Sequence, residues 1–563
     1  MPRPANTQHF SDPGNCRANA ALAAKTGRSA AGRPLFAART PVWRALAGAS
    51  LCLLAACTAV GPDYPGVEPP ALPSAWDATA AAADSRAIAS WWDLFSDPTL
   101  AELIEQGARQ NLSLEAAGLR IVQARAALGI SDALLFPQQQ QLNGNASRLY
   151  RDDKGFNAAA IGLDVGWEMD IWGKYARGIE SAEANLYATI ASYRDVLVTI
   201  SAEIARNYIN YRTAQERIYL SRRNIAIQQR VVDMTQVQFD SGNVSELDVQ
   251  QASTQLYTTM SALPALNITR LQARNAIAVL LGARPEDIEP LLALTQGDED
   301  PSLAQSMTRF SRDKVVAAAY KANSVIPEAP EPDQGIDPQL ILRRPDLQVA
   351  ELRARAQSAR TGFAEADLYP RFYLFGSIGL SQTVRSGTSF DAGDAVTASI
   401  GPGLSWDIFQ YGRIKNTVRI EDARFEESLV NYNQNVLEAV REVSDALEAY
   451  RYNLERSEYD FKAVQSSIRA FNISANQYNN GLVSYQRLLS TVEKMTVRED
   501  AYAQTRGSIA NQVVALYKAL GGGWEPFIEQ PLVKPQTVEQ MKSRIDWGDY
   551  LEPAIIVGSD RDE

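Results

Sequence analysis

Glu168 and Asp170 form the kind of carboxylate pair that could share general acid and base work. They stand on a stretch with a two-residue hydropathy period, however, and the pair repeats poorly where the surrounding pattern recurs. Little else offers chemistry. The only histidine is His9, and the only cysteines are Cys16, Cys52 and Cys57. Beyond residue 56 the chain has no imidazole for a base, a Ser-His-Asp triad or a metal. One remaining thiol makes neither an internal disulfide nor a zinc cluster. Residues 1–56 hold seven basic side chains and one acid, so removing their +6 from a net −11 leaves −17. That balance argues against a nucleic-acid partner, which needs clustered Lys and Arg. No catalytic, cofactor or metal residue is expected, and the chain reads as a non-enzyme.

Cys57 is the one residue placed for a covalent event. Arg44 precedes an apolar stretch from Ala45, ending in Leu54-Ala55-Ala56-Cys57. This is a signal-peptide pattern, and its end resembles the lipobox of bacterial lipoproteins, which implies acylation of Cys57. Thr58 in second place, rather than Asp, implies outer-membrane sorting. The basic lead is long enough that translation starting near Val42 is the expectation.

The positioning elements come from a unit written twice. Phe136-Pro137 matches Tyr369-Pro370 at an offset of 233. Trp167, Gly173, Gly242, Val244-Ser245 and Leu281-Gly282 match Trp406, Gly412, Gly481, Val483-Ser484 and Leu520-Gly521 at 239. A constant register over such lengths needs rigid elements without insertions. Residues 112–135 and 346–369 read as helices that stop before proline. About 66 residues, Lys174 to Phe239 and Arg413 to Tyr478, then run without proline. In the second run Val443, Leu447, Tyr450, Leu454, Ser457, Phe461, Val464, Ile468, Phe471, Ala475 and Tyr478 trace a coiled-coil seam. In the first, Ile204, Tyr211, Ile218, Ile225, Val232 and Phe239 recur every seven as a weaker seam. Gly242 and Gly481 follow as C-caps, then Ser245 and Ser484 as N-caps of returning helices. Each long helix spans ~100 Å and lies alongside two shorter ones stacked end to end.

Between helices lie hairpins. Ile161, Leu163, Val165, Val396 and Ile400 alternate with Asp164, Glu168, Thr397 and Ser399, which predicts lipid on the first face and a wet lumen on the second. Phe136, Trp167, Trp172, Tyr369, Trp406 and Tyr411 suit an interfacial belt. Pro402 marks a rim or a bulge. Four strands cannot close a membrane barrel, which starts at eight, so insertion demands oligomers. Two chains would supply eight strands and three would supply twelve. The fold class is mainly α with a small β part: long coiled-coil helices plus four strands per chain.

The chain resembles the TolC-like outer membrane factors in their efflux (NodT-like) lipoprotein branch. The resemblance rests on Cys57 with Gly61-Pro62-Asp63-Tyr64, and on Trp92-Asp93-Leu94-Phe95 with Asp97-Pro98-Thr99-Leu100. Leu342-Arg343-Arg344-Pro345-Asp346-Leu347 and Leu368-Tyr369-Pro370 complete it. It implies a homotrimeric duct, a coiled-coil α-barrel carrying a trimeric, 12-stranded transmembrane β-barrel, that receives small molecules from an inner-membrane pump through a periplasmic adaptor and is anchored in outer-membrane lipid. It also implies adaptor-docking tips at Gly242, Val244, Ser245, Gly481, Leu482, Val483 and Ser484. Family members place an acid nine residues past the second tip glycine, where this chain has Ser490. Asp248, Gln486, Arg487 and Ser490 are therefore the pore-closure candidates. Arg343, Arg344, Pro345 and Asp346 read as a structural helix start. Valine at either tip glycine is expected to strain the cap and crowd the turn. Rival readings are a protein-secretion duct and a periplasmic adaptor or scaffold.

The resulting division is a targeting segment 1–56, an extended segment 57–97, equatorial and ascending helices 98–136, and a hairpin 137–170. Long helix, tip and return helix cover 171–282, followed by an equatorial segment 283–343. The second repeat has its ascending helix at 344–369, hairpin at 370–409, and long helix, tip and return at 410–521. An equatorial tail, 522–563, ends the chain.

Overall fold

The computed structural model describes residues 59–73, 88–152, 154–293, 324–331, 337–385, 388–389, 391, 393 and 395–551. The two repeats are plain in the element order. The first holds α1 (Pro98–Gln110), α2 (Leu112–Ala133), β1 (Gln139–Arg151), β2 (Lys154–Met169), α3 (Lys174–Asp240) and α4 (Glu246–Leu280). The second holds α5 (Pro345–Glu365), β3 (Arg371–Arg385), β4 (Val396–Ser405), α6 (Arg413–Asn479) and α7 (Tyr485–Ala519). A short helix α8 (Pro535–Arg544) follows.

The long helices are 67 residues each. Toward the strands, α3 packs between α2 and α5, and α6 packs on α5. Toward the far end, α3 packs between α4 and α7, and α6 packs on α7. So α2 with α4, and α5 with α7, are the paired short helices laid along the long ones. Where they meet, Trp91 stacks on Tyr517 and Trp92 on Phe527. Leu100, Leu103, Ile104, Ile204, Tyr208 and Ile277 complete this equatorial core. Apolar burial of that kind stabilises at ~25 cal/mol per Å². The described part of the tail packs as a strap: Val533, Met541 and Leu551 bury against Val122 of α2.

Two expectations about the seams are corrected. The tip-ward half of α3 buries Ser221, Asn224, Gln228, Val231 and Thr235, whereas Ile225 and Val232 are half-buried and Phe239 is exposed. The reason is that α3 has a helix on each side, so its residues divide between two seams. The stripe that meets the second repeat is polar: Gln228 donates to Thr496, and Arg223 and Asn224 donate to buried Glu499. In α6 the seam holds at Val443, Val464 and Tyr478 but opens at Leu454. Leu454 there lines an equatorial cavity of about 880 Å³ with Tyr208, Arg212, Tyr502 and Arg506.

The four strands form one antiparallel sheet in the order β1-β2-β3-β4. The two hairpins thus join through β2 and β3, which leaves β1 and β4 as open edges.

Candidate functional site

The far turns are built alike. After α3, the Asn243 N–H donates to Gln238 O and the Gly242 N–H to Phe239 O, each at 2.8 Å. After α6, the Leu482 N–H donates to Gln477 O at 2.8 Å and the Gly481 N–H to Tyr478 O at 2.9 Å. Both are the paired bonds of a Schellman cap. Gly242 and Gly481 have φ +78° and +67°, a conformation that disfavours any Cβ. The expected crowding is absent: a Cβ at either glycine would meet nothing within 4 Å, so strain alone restricts the position.

The turns differ in chemistry. Asp248 is taken up by a cap, its carboxylate accepting from the Ser245 N–H at 3.0 Å and hydroxyl at 2.9 Å. Its repeat counterpart is Arg487, which is exposed like Gln486, while Ser490 is half-buried. Val244 and Val483 are half-buried, and Leu482, Ser245 and Ser484 are exposed. Beneath the second turn Tyr478 and Tyr485 meet edge to face at 6.0 Å, and burial pushes both phenols above their ordinary value.

At the opposite end, register sorts the strand side chains. Ile161 faces Leu380 and Gly144, Leu163 faces Ile378 and Leu142, and Val165 faces Gly376. Val396 and Ile400 join the same face through Leu380 and Gly376. The other face is polar. Asn143 donates to Asp164 at 2.7 Å, and the Ser377 and Ser399 hydroxyls lie 2.8 Å apart. Glu168 and Thr397 share it. Sequence reading missed Tyr373 and Phe375, whose rings lie on this polar face over Gly403 and Gly401.

The aromatic residues at the helix-proximal end include hydrogen-bonded anchors. The Trp167 indole N–H donates to Leu135 O, and Trp406 donates to Leu368 O, both at 3.0 Å. Trp172 donates to Pro370 O at 2.8 Å and stacks on Tyr369. Phe136, Trp406 and Tyr411 remain exposed.

Cys57 lies outside the described residues. The chain just after it is tied to this same end: the Val60 N–H donates to Trp172 O at 3.0 Å, and Arg177 donates to Val60 O, Gly61 O and Asp63.

Arg343 to Asp346 sits at the equator. Arg343 is exposed. Buried Arg344 donates to Asp346, to Glu442 at 2.8 Å and to Ala519 O at 2.8 Å. Pro345 opens α5. Nearby, burial and the Asp346 charge hold the Asp195 carboxyl above its ordinary range, with Arg344 opposing them. Glu216 is raised by burial too, against the pull of Arg506. Glu168 is hydrogen-bonded to Tyr175, and burial with the charges of Glu168 and Asp170 pushes that phenol above its ordinary value; among the described residues no His/Cys/Asp/Glu group could hold a metal. No described helix is long and apolar enough to cross a membrane.

The chain's likenesses accord with this geometry. The outer membrane efflux protein profile matches residues 103–283 and 338–522. Nodulation protein T of Rhizobium leguminosarum bv. viciae is 28% identical over 480 residues, covering 85% of this chain and 93% of that protein. The probable outer membrane lipoprotein SilC of Salmonella typhimurium is 24% identical over 489 residues, covering 84% and 97%. Among solved structures, the outer-membrane channel OprN superposes with a TM-score of 0.72 at 30% identity, covering 83% of this chain and all of its own.

Proposed function

The chain belongs to the outer membrane efflux protein family, and from that membership we propose how its parts serve an efflux exit duct. Three copies join their sheets into a 12-stranded barrel in the outer membrane, and the helices carry the conduit into the periplasm. Cargo is small molecules, handed over by an inner-membrane pump through a periplasmic adaptor. Cys57 carries the lipid; the tether of Val60 to the base of the sheet supports this, since it keeps the cysteine near the expected bilayer surface.

The observation that carries the reading is the pair of matched glycine turns. They stand a 67-residue helix, or ~100 Å, from the sheet, where a pump-side partner would meet the duct. The adaptor docks there on Leu482, Val483 and Ser484 and their counterparts at Val244 and Ser245. The resting duct closes near the same end, with Gln486, Arg487 and Ser490 as closing residues; Asp248 is already engaged in a cap.

The test is Gly481→Val and Gly242→Val in a strain that depends on this duct for resistance to a pump substrate. Each is expected to abolish efflux with trimer abundance near normal, Gly242→Val more weakly. Normal pumping by both expressed variants would move the docking surface to the equator.

A further inference from the structure

Two side chains break the pattern of the polar face. Its helix-proximal half carries Gln141, Asn143, Asp164, Ser377 and Ser399, yet Tyr373 and Phe375 stand among them and both are exposed. Glycines make room for their rings. Phe375 has Gly166 on one side and Gly401 on the other, and Tyr373 has Glu168 and Gly403. The Tyr373 ring takes the place of a Gly403 side chain, whose Cβ would lie 2.2 Å from it, and a Cβ at Gly401 would touch the Phe375 ring at 3.4 Å. Both rings thus lean over β4, with centroids 6.3 Å apart and planes tilted by 43°. Glycine weakens a strand interior and is kept where something must approach closely.

The charge around the rings is negative. Glu168 is in register with Tyr373, and Asp164 with Ser377, the next residue along the face from Phe375. Their hydrogen-bond partners are neutral: Asn143 donates to Asp164, and Glu168 is bonded to the Tyr175 phenol. Arg371, the cation on this half of the face, stands 3.7 Å from Asp407. Leu374, between the two aromatic residues, pairs with Trp167 of the belt. The rings therefore stand where the helices give way to the strands, a level that all cargo in the duct must pass.

We infer that Tyr373, Phe375, Asp164 and Glu168 form a resting site for planar organic cations in transit, one site per protomer. Aromatic cargo stacks on the exposed rings, their π-faces attract its charge, and the carboxylates add a Coulomb attraction. The inference rests on the proposed trimeric duct, with the polar face lining its passage, and gives that duct's cargo a chemical class.

The test titrates the full trimer in phosphatidylcholine nanodiscs with proflavine, a planar cation, and with pyrene-1-sulfonate, a planar anion, reading their fluorescence against protein-free discs. Proflavine is expected to bind at three sites per trimer and the anion at none. Phe375→Leu and Tyr373→Leu should each weaken proflavine about tenfold, and Tyr373→Phe should leave it unchanged. Asp164→Asn should weaken it about fivefold. That change touches neither ring, so it reads the site even where a leucine variant fails to assemble. Unchanged affinity in Asp164→Asn, or equal binding of the anion, overturns the site. Unchanged affinity in the assembled leucine variants does so too, and leaves the rings as covers for the glycines. A protein that enters the discs only as a monomer, or not at all, overturns the duct reading and the site with it.

Discussion

Asn111 and Arg344 show one job done by two chemistries. They are repeat counterparts, 233 apart, and each stands just before an ascending helix. Asn111 donates to Leu280 O at 2.7 Å and caps α2 through Leu114 N. Arg344 donates to Ala519 O, the counterpart of Leu280 at 239. Each side chain thus ties the start of one short helix to the end of the other. Arg344→Ala leaves a buried carbonyl and the carboxylates of Asp346 and Glu442 without their partner, at about 2–4 kcal/mol. Asn111→Ala should cost about 1–2 kcal/mol, and exposed Arg343→Ala almost nothing. Denaturant unfolding of the three variants would rank them. The Arg344→Ala deficit should shrink with acid. Asp195 is raised in the folded chain, so its penalty is present at neutral pH and is relieved as pH falls through the raised value toward the ordinary 3.8. A pH-independent deficit would reject the electrostatic account. The motif Arg343 to Asp346 was legible as a helix start, but Ala519 is 175 residues away and no local pattern names it.

Among the elements, the strands were the most legible because a two-residue period writes each face directly into the sequence. β1 was the weak strand in that reading; on its apolar face Leu142 stands between Gln140 and Gly144, and its polar face is rich in Gln and Asn. The tip-ward seam of α3 was illegible for the opposite reason. A helix flanked on both sides writes two stripes over one another, and the buried one here is Ser221, Asn224, Gln228 and Thr235. The sheet faces give a direct test. Leu163 packs level with Leu142 and Ile378 in the middle of the apolar face. Leu163→Arg should destabilise the inserted barrel by about 2–4 kcal/mol. Asp164→Arg, one residue on, lies on the polar face and loses only the Asn143 bond; if that face lines the proposed duct, the change should leave stability nearly intact and shift conductance toward anions. Heat-induced trimer dissociation and planar-bilayer currents read the two effects, and equal destabilisation would mean the faces are misassigned.

For the whole molecule the decisive feature is what one chain leaves unpaired. β1 and β4 expose edges that lipid cannot satisfy, at several kcal/mol per unmet backbone group. Pro402 fits such an edge. Ser381 N–H donates to Ala395 O, and alternation then makes Leu374–Pro402 a non-hydrogen-bonded pair. The proline nitrogen therefore points outward, and the inner ladder loses no donor. The helices repeat the situation. α6 is an outer member of the helical layer along its whole length and α4 is the opposite outer member toward the tips; α4 exposes Tyr257, Met260, Ile268 and Val279, and α6 exposes Val430, Leu437, Tyr452 and Ile473. Two different edges on one chain make a head-to-tail contact, which closes only as a ring. Two copies give eight strands and an interior just filled by side chains, whereas three give twelve and leave a passage. Amine cross-linking in detergent should therefore give a ladder that stops at three. Val430→Arg combined with Leu437→Arg should shift the protein to monomers that keep their helical signal and lose membrane insertion together with the trimer. A monodisperse monomer inserted with its full β signal would show that the edges are satisfied within one chain.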